Sequence, residues 1–299
     1  MEFLLTCDVE SFSIPLNRCD RETAHQVYHQ GLPRLLDLCA KHDIPATFYF
    51  TGELVEIVPE ALDLVKDHGH EIGCHGFSHE VDRALDILSY EEQLSDLKKA
   101  KAIIESVVGS IRSFRAPALR INTDTIKALE ETGFLTDSST CPQRFDGPMT
   151  FGSAKKLKWL VAKRKPSYLD SGHFILEIPI SAFIIPYIGT TMRISPFLTR
   201  MLKRSLYFEA KHTQKPVVFL FHPNECLNPS DTIVTTCRTK NPVEHFFADR
   251  VRQQLKLRRL GIPAVELLDE IILNAKQQGF DFCTAIEYRD SWRASRGDL

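Results

Sequence analysis

PVVFLFHPNE, residues 216–225, is the stretch whose reading decides the fold. From Val217 to Phe221 every residue is apolar, with no polar alternation. A strand with one wet face alternates. An unbroken run belongs to a strand covered on both faces, as in a parallel sheet flanked by helices. The run then stops at His222, Pro223, Asn224 and Glu225, so its C-terminal end is polar.

Other short apolar runs fit the same scheme, with helical patterns between them. FLLTC (3–7), ATFYFT (46–51), EIGCH (71–75), SFRAP (113–117), FLTDSS (134–139) and FILEIPI (174–180) read as strands or extended edges. RETAHQVYHQGLPRLLDLCAKHD (21–43), PEALDLVKDHG (59–69), YEEQLSDLKKAKAIIESVVG (90–109) and SPFLTRMLKRSLYFEAKHT (195–213) carry apolar positions at helical spacing. Ser89 with Glu92 forms a capping box, and Asn122 caps the helix over 123–133. Two more helical patterns (243–259 and 263–278) precede a last strand near 281–286. About seven to eight strands separated by helices argue for βαβ units. No composition break or fixed repeat divides the chain, so residues 1–299 are read as one α/β domain, a distorted (β/α) barrel. An open doubly wound sheet is the alternative. The irregular section 141–173 has the length of a lid or substrate wall.

Composition narrows the function. Charged residues make up 25% of the chain and net charge is −2, without a basic footprint for nucleic acid. The apolar run at the N-terminus is too short for a secretory signal, and no later stretch reaches a membrane span. The expectation is a cytoplasmic protein with no membrane span. None of the eight cysteines forms a C-x-x-C pair, so reduced thiols are expected.

Functional side chains of (β/α) barrels collect at the C-terminal ends of strands. Here those ends carry Asp8 and Glu10, His75 and His79, Arg115 and Pro117, Asp137 and Ser138, and His222. His75 and His79 stand four apart, so a helical turn points both imidazoles at one ion. Imidazole suits zinc and other first-row metals, with a carboxylate commonly as third ligand. Asp8 and Glu10 share a side of an extended strand, so one carboxylate can bind metal while the other takes a proton from water. The planar fork of Arg115 can fix and polarise a carboxylate. His222 is placed as a general acid, with Asp137 able to orient it. Each of these has a bland counterpart: a solvated histidine pair, surface acids, a surface arginine, a core histidine, a helix cap.

In order, Asp8…Glu10, H-x-x-S-H at 75–79, R-A-P at 115–117, D-S-S at 137–139 and F-H-P at 221–223 resemble the polysaccharide deacetylases, the NodB-homology domains of carbohydrate esterase family 4. TCDVE, FRAP, DSS and FHPNE are similar to the subgroup with a D-V-E first motif. The resemblance implies a distorted barrel holding one divalent metal, most often zinc, with cobalt, manganese or nickel as alternatives. It implies hydrolysis of an N-acyl group, expected to be acetyl, on an amino sugar of a polysaccharide or glycan precursor. His75 and His79 would bind metal, Asp8 would be the base held by Arg115, and His222 the acid tuned by Asp137. The family's second aspartate, its usual ligand, is Val9 here, which makes Glu10 the candidate replacement. The aromatic residue that usually follows the motif-four aspartate is also missing. GTTMRISP (189–196) makes Arg193 a candidate grip for substrate, as Pro117 is for the site wall. Hydrolysis of a non-sugar amide, such as a cyclic imide or an allantoin-like ureide, and non-catalytic carbohydrate binding are the alternatives.

Overall fold

The computed structural model describes residues 1–143, 162–169, 172, 174–228, 234, 246 and 250–297. Nine strands share one sheet: β1 (Glu2–Val9), β2 (Thr47–Phe50), β3 (Glu71–Cys74), β4 (Ser113–Phe114), β5 (Thr136–Asp137), β6 (Ser167–Tyr168), β7 (Leu176–Glu177), β8 (Val217–Phe221) and β9 (Asp281–Phe282). The path runs β8-β1-β2-β3-β4-β5-β7-β6, with β9 beside β1. Every pairing is parallel except β6 with β7. The sheet curls into a half-barrel whose end strands, β8 and β6, do not pair; the segment after β7 reaches β8 instead, with Ser181 N–H donating to Val218 O (3.0 Å) and Ile188 bridged to Leu220.

Residue alternation sorts each strand into a helix-facing and an interior set. In β1, Phe3, Leu5, Cys7 and Val9 enter the main apolar cluster with Leu35, Leu36 and Leu54 from the surrounding helices. Leu4 faces inward and packs with Val218, Leu176 and Ala285 below the site. The expected β8 run is buried throughout, as a strand covered on both faces should be.

Four strand expectations are shortened. SFRAP, FLTDSS and FILEIPI yield only two paired residues each, because the curl breaks regular pairing. Single ladder bonds continue beyond them: Arg115 N–H donates to Cys74 O (2.9 Å), Ser138 N–H to Phe114 O (3.0 Å) and Ile178 N–H to Asp137 O (2.7 Å). The strand expected near 281–286 stops at Phe282, and a helix occupies Ala285–Ala294. Its cause is a capping box in plain sequence, Thr284 with Glu287. The helix expected over 21–43 is interrupted by a π turn at Val27–Gly31, just before Pro33, which cannot donate to the preceding turn. Both capping boxes at Ser89 and Asn122 form. Only Arg252–Lys256 of the helix expected over 243–259 lies within a described helix, and most of the 141–173 section falls outside the described residues.

The new C-terminal helix closes the lower end of the half-barrel. Glu71, on the interior face of β3, accepts from Ala285 N–H (2.8 Å), Thr47 Oγ1 (2.8 Å) and the Ser113 hydroxyl. A carboxylate at a helix N-terminus satisfies orphan N–H donors and the macrodipole together. Replacing Glu71 with Leu strands those donors. It should destabilise the protein by about 1–3 kcal/mol, against about 1 kcal/mol for Thr284→Ala. Denaturant melts of the two variants check the ranking.

Candidate active site and metal centre

Register brings the predicted residues together. Cys7 pairs with Phe221, so Asp8 and His222 leave neighbouring strands at one level. Val9 pairs with Phe50, Phe50 with Cys74 and Cys74 with Phe114, so Glu10, His75 and Arg115 form the next level. Val9 and Cys74 face the helices and belong to the main core. An aspartate at position 9 would have to enter that core, whereas Glu10 emerges on the site side.

The arginine clamp organises the floor. Arg115 is fully buried, with its guanidinium 4.6 Å from the centre of the Tyr49 ring. Its Nη1 donates to Asp8 Oδ1 (2.8 Å), its Nε to Ser138 O (2.9 Å) and its Nη2 to Ser138 Oγ (2.7 Å). Asp8 Oδ2 remains free of this clamp and lies 3.7 Å from His75 Nε2 and 4.0 Å from His222 Nε2. Burial would raise the Asp8 carboxyl. The Arg115 charge, with His75 and His222, outweighs burial and holds it below the usual carboxylate range.

Glu10, His75 and His79 offer ligand atoms that all lie within 4.8 Å of one another. His75 Nδ1 is 2.8 Å from the Arg115 carbonyl, which can only accept, so Nδ1 carries the proton and Nε2 presents its lone pair. Burial, the largest influence, keeps the His75 imidazole below its ordinary pKa. His79 Nε2 lies 3.2 Å from Glu10 Oε2 and accepts from Ala118 N–H (3.2 Å), a bond its one lone pair would give up to an ion. Glu10 Oε2 is buried, 3.2 Å from His79 Nε2, and has no hydrogen-bond partner. A buried carboxylate oxygen without a donor, beside the free Nε2 lone pair of His75 and the amide-bound Nε2 of His79, is a donor set that an ion would complete. These three residues fit a divalent ion.

His79 and His222 are 21% and 22% exposed, while Asp8, Glu10 and His75 are buried, so the cluster opens on the two-histidine side. Pro117 starts the turn Pro117–Leu119 and packs on Gly76, whose φ of +68° and proximity to Pro117 Cγ (2.9 Å from any added Cβ) admit only glycine.

Two expectations change. Asp137 does not contact His222. It accepts from Ser139 Oγ and is paired across the β5–β7 register with Glu177. Burial first, then mutual repulsion, pushes the Glu177 carboxyl well up, and burial raises Asp137, so both carboxyls are shifted toward the protonated form. The partner of His222 is instead Glu225, whose Oε1 lies 2.8 Å from His222 Nδ1. Arg193 does not face substrate either. It is 1% exposed, its Nε donates to Glu225 Oε2, and its Nη1 donates to the carbonyls of Lys256 and Arg258 (2.8 Å to the latter). The chain thus builds Arg193–Glu225–His222. Burial would lower the His222 pKa, but the Glu225 hydrogen bond and the charges of Glu10, Glu225 and Asp8 raise it to about 9.

Glu225 was legible as FHPNE, three residues after His222, where a helical turn returns the side chain to its i−3 neighbour. Gly189 makes the room. A Cβ there would lie 2.5 Å from Glu225 Oε1 and 2.6 Å from Phe221 Cδ2.

A curled parallel sheet with such a cluster at its strand ends agrees with the resemblance carried by the motifs. Residues 23–136 match the family model described as Polysaccharide deacetylase, which supports the resemblance carried by the motifs. That segment contains His75, His79, Arg115 and Pro117; the remaining site residues lie outside it. The chain is 34% identical over 109 residues to the peptidoglycan deacetylase of Helicobacter pylori, covering 36% of each protein. The matched segments span about a third of the length of the curated relatives. Among solved structures, one from Mycobacterium smegmatis ascribed to the polysaccharide deacetylases superposes with a TM-score of 0.63 at 21% identity, covering 99% of this chain and 91% of that one. An allantoinase superposes with a TM-score of 0.60 at 14% identity, covering 98% and 90%. At those identities both describe the fold alone.

Replacing Arg115 with Leu leaves Asp8 buried and unpaired. The cost should be about 3–5 kcal/mol, read from denaturant unfolding, with Arg115→Lys recovering part of it.

Proposed function

We propose that the protein hydrolyses an N-acyl group, expected to be acetyl, from an amino sugar of a polysaccharide or glycan precursor. One observation carries the reading. Asp8 and His222 stand 4.0 Å apart beside the Glu10–His75–His79 donor set, and neighbouring charges favour an ionised carboxylate and a protonated imidazole. The cytoplasmic location read from the sequence is part of the proposal; the seven described cysteines are free thiols, and no described helix is long and apolar enough to cross a membrane.

Zinc, or cobalt, manganese or nickel in its place, would be held by Glu10, His75 and His79 and would supply Lewis-acid polarisation of the acyl oxygen and a more acidic water. The chain's own groups divide the proton work. Arg115 occupies Asp8 Oδ1, so Oδ2 is the oxygen left to accept a proton from the attacking water. Arg115 also keeps Asp8 ionised, so the base is ready at neutral pH. Water oxygen bonds to the acyl carbon. As the carbon–nitrogen bond breaks, His222 Nε2 gives its proton to the departing amine. Glu225 holds the opposite ring nitrogen and keeps the imidazole protonated, and Arg193 fixes Glu225.

Acetate release from N-acetylglucosamine oligomers, with Zn²⁺ or Co²⁺ present, tests the reading. Asp8→Asn should reduce turnover by about 10²–10⁴-fold, the scale of one general base. Glu10→Ala should lose metal, read as metal content of the purified protein. No bound metal and no acetate release, or hydrolysis confined to cyclic imides or ureides, would overturn the proposal.

The pKa sign for His222 is specific. Its folded-state value is raised, so its stabilising contribution is full below about 6.5 and disappears as pH rises through about 9. Proton NMR of the metal-free protein should show His222 titrating near 9. Glu225→Gln should move that titration to lower pH, and with it the alkaline limb of turnover.

A further inference from the structure

The helix Pro196–Thr213 has two unlike sides. Thr199, Leu202, Leu206, Tyr207 and Ala210 are buried against the sheet and its neighbours. On the opposite side, Phe197, Met201 and Phe208 fall at i, i+4 and i+11, a single stripe of an α-helix. They are 68%, 52% and 66% exposed. Three large apolar side chains in one exposed row differ from scattered surface hydrophobes.

Charge gives the row its chemistry. Arg200, Arg204 and Lys211 are exposed along one flank, and His212 stacks on Phe208 at 4.1 Å on the other. Lys203, half-buried beside Glu270 of the next helix, is held below its usual pKa by burial and then by Arg200 and Arg204. The helix has one acid, Glu209, and it is occupied by Arg164 (2.6 Å) and Lys215 (3.3 Å). Arg164 also donates to Ala182 O (2.9 Å), which ties the Ala182–Pro186 hairpin to the helix. The hairpin tip is Ile184, 73% exposed with φ +70°. A β-branched residue rarely adopts that backbone.

We propose that this face is a docking surface for an anionic lipid bilayer. An apolar row would enter the interface while the flanking cations meet acidic headgroups. Pairing of two copies through the same row would set cations against cations, which disfavours that occupant. The helix begins three residues after Arg193, the residue that grips Glu225 from behind. The docking argument is independent of the acyl chemistry.

Vesicle flotation of the whole chain tests it, comparing phosphatidylcholine vesicles with and without phosphatidylglycerol. The wild type should float with the anionic vesicles and not with the neutral ones, and binding should weaken as salt is raised. The combined Phe197→Ser, Met201→Ser and Phe208→Ser variant, and separately Arg200→Glu with Arg204→Glu, should each reduce binding roughly tenfold or more. These side chains are exposed, so unchanged thermal melting confirms intact folds. A wild type that ignores anionic vesicles at low salt overturns the proposal. So does binding undiminished in both variants, or a concentration-dependent dimer that the serine variant dissolves.

Discussion

The pair Arg115–Asp8 is the contact on which the site depends. Two opposite charges are buried together, and neither could be there alone. The guanidinium joins β1 to β4 and, through Ser138, to the strand after it. By taking one carboxylate oxygen it leaves the other facing the histidines. Its backbone carbonyl also fixes the tautomer of His75. One residue therefore sets the ionisation of the proposed base and aims a candidate metal ligand.

The second constraint lies across the opening. His222 is a half-exposed turn residue that would titrate near neutrality by itself. Glu225 and Arg193 change that from behind, outside the reach of substrate. The arrangement requires a carboxylate where Gly189 leaves space, and β8 must end in a tight turn that returns position 225 to 222. The proposed acid and base are thus tuned by separate arginines, one in the helix Gly189–Ile194 and one just after β4.

Much of this was legible in the sequence, and the rest was hidden for physical reasons. Strand cores such as 217–221 and 47–50 announced themselves because burial on both faces removes polar residues. Strand-end chemistry followed, since a parallel sheet gathers the residue after each strand at one rim. Partnership across the rim was not legible. Register turns Asp137 toward Glu177, which sequence does not show, whereas Glu225 reaches His222 through a local turn. Arg193 looked like a substrate grip because sequence carries no sign of burial. The Ala285–Ala294 helix was missed although its capping box was readable, because the preceding apolar residues suggested a strand.

The Asp137–Glu177 pair has a consequence for how the fold responds to acid. Carboxyls raised by burial favour the native state when protonated, so their contribution declines as pH climbs past the ordinary carboxylate range. Asp8, held below that range, does the reverse and weakens the fold as pH drops through its own depressed value. Two neighbouring parts of one rim therefore pull the stability curve in opposite directions. From these groups the stability of the half-barrel should peak near the ordinary carboxylate range and decline toward neutrality as the raised pair ionises.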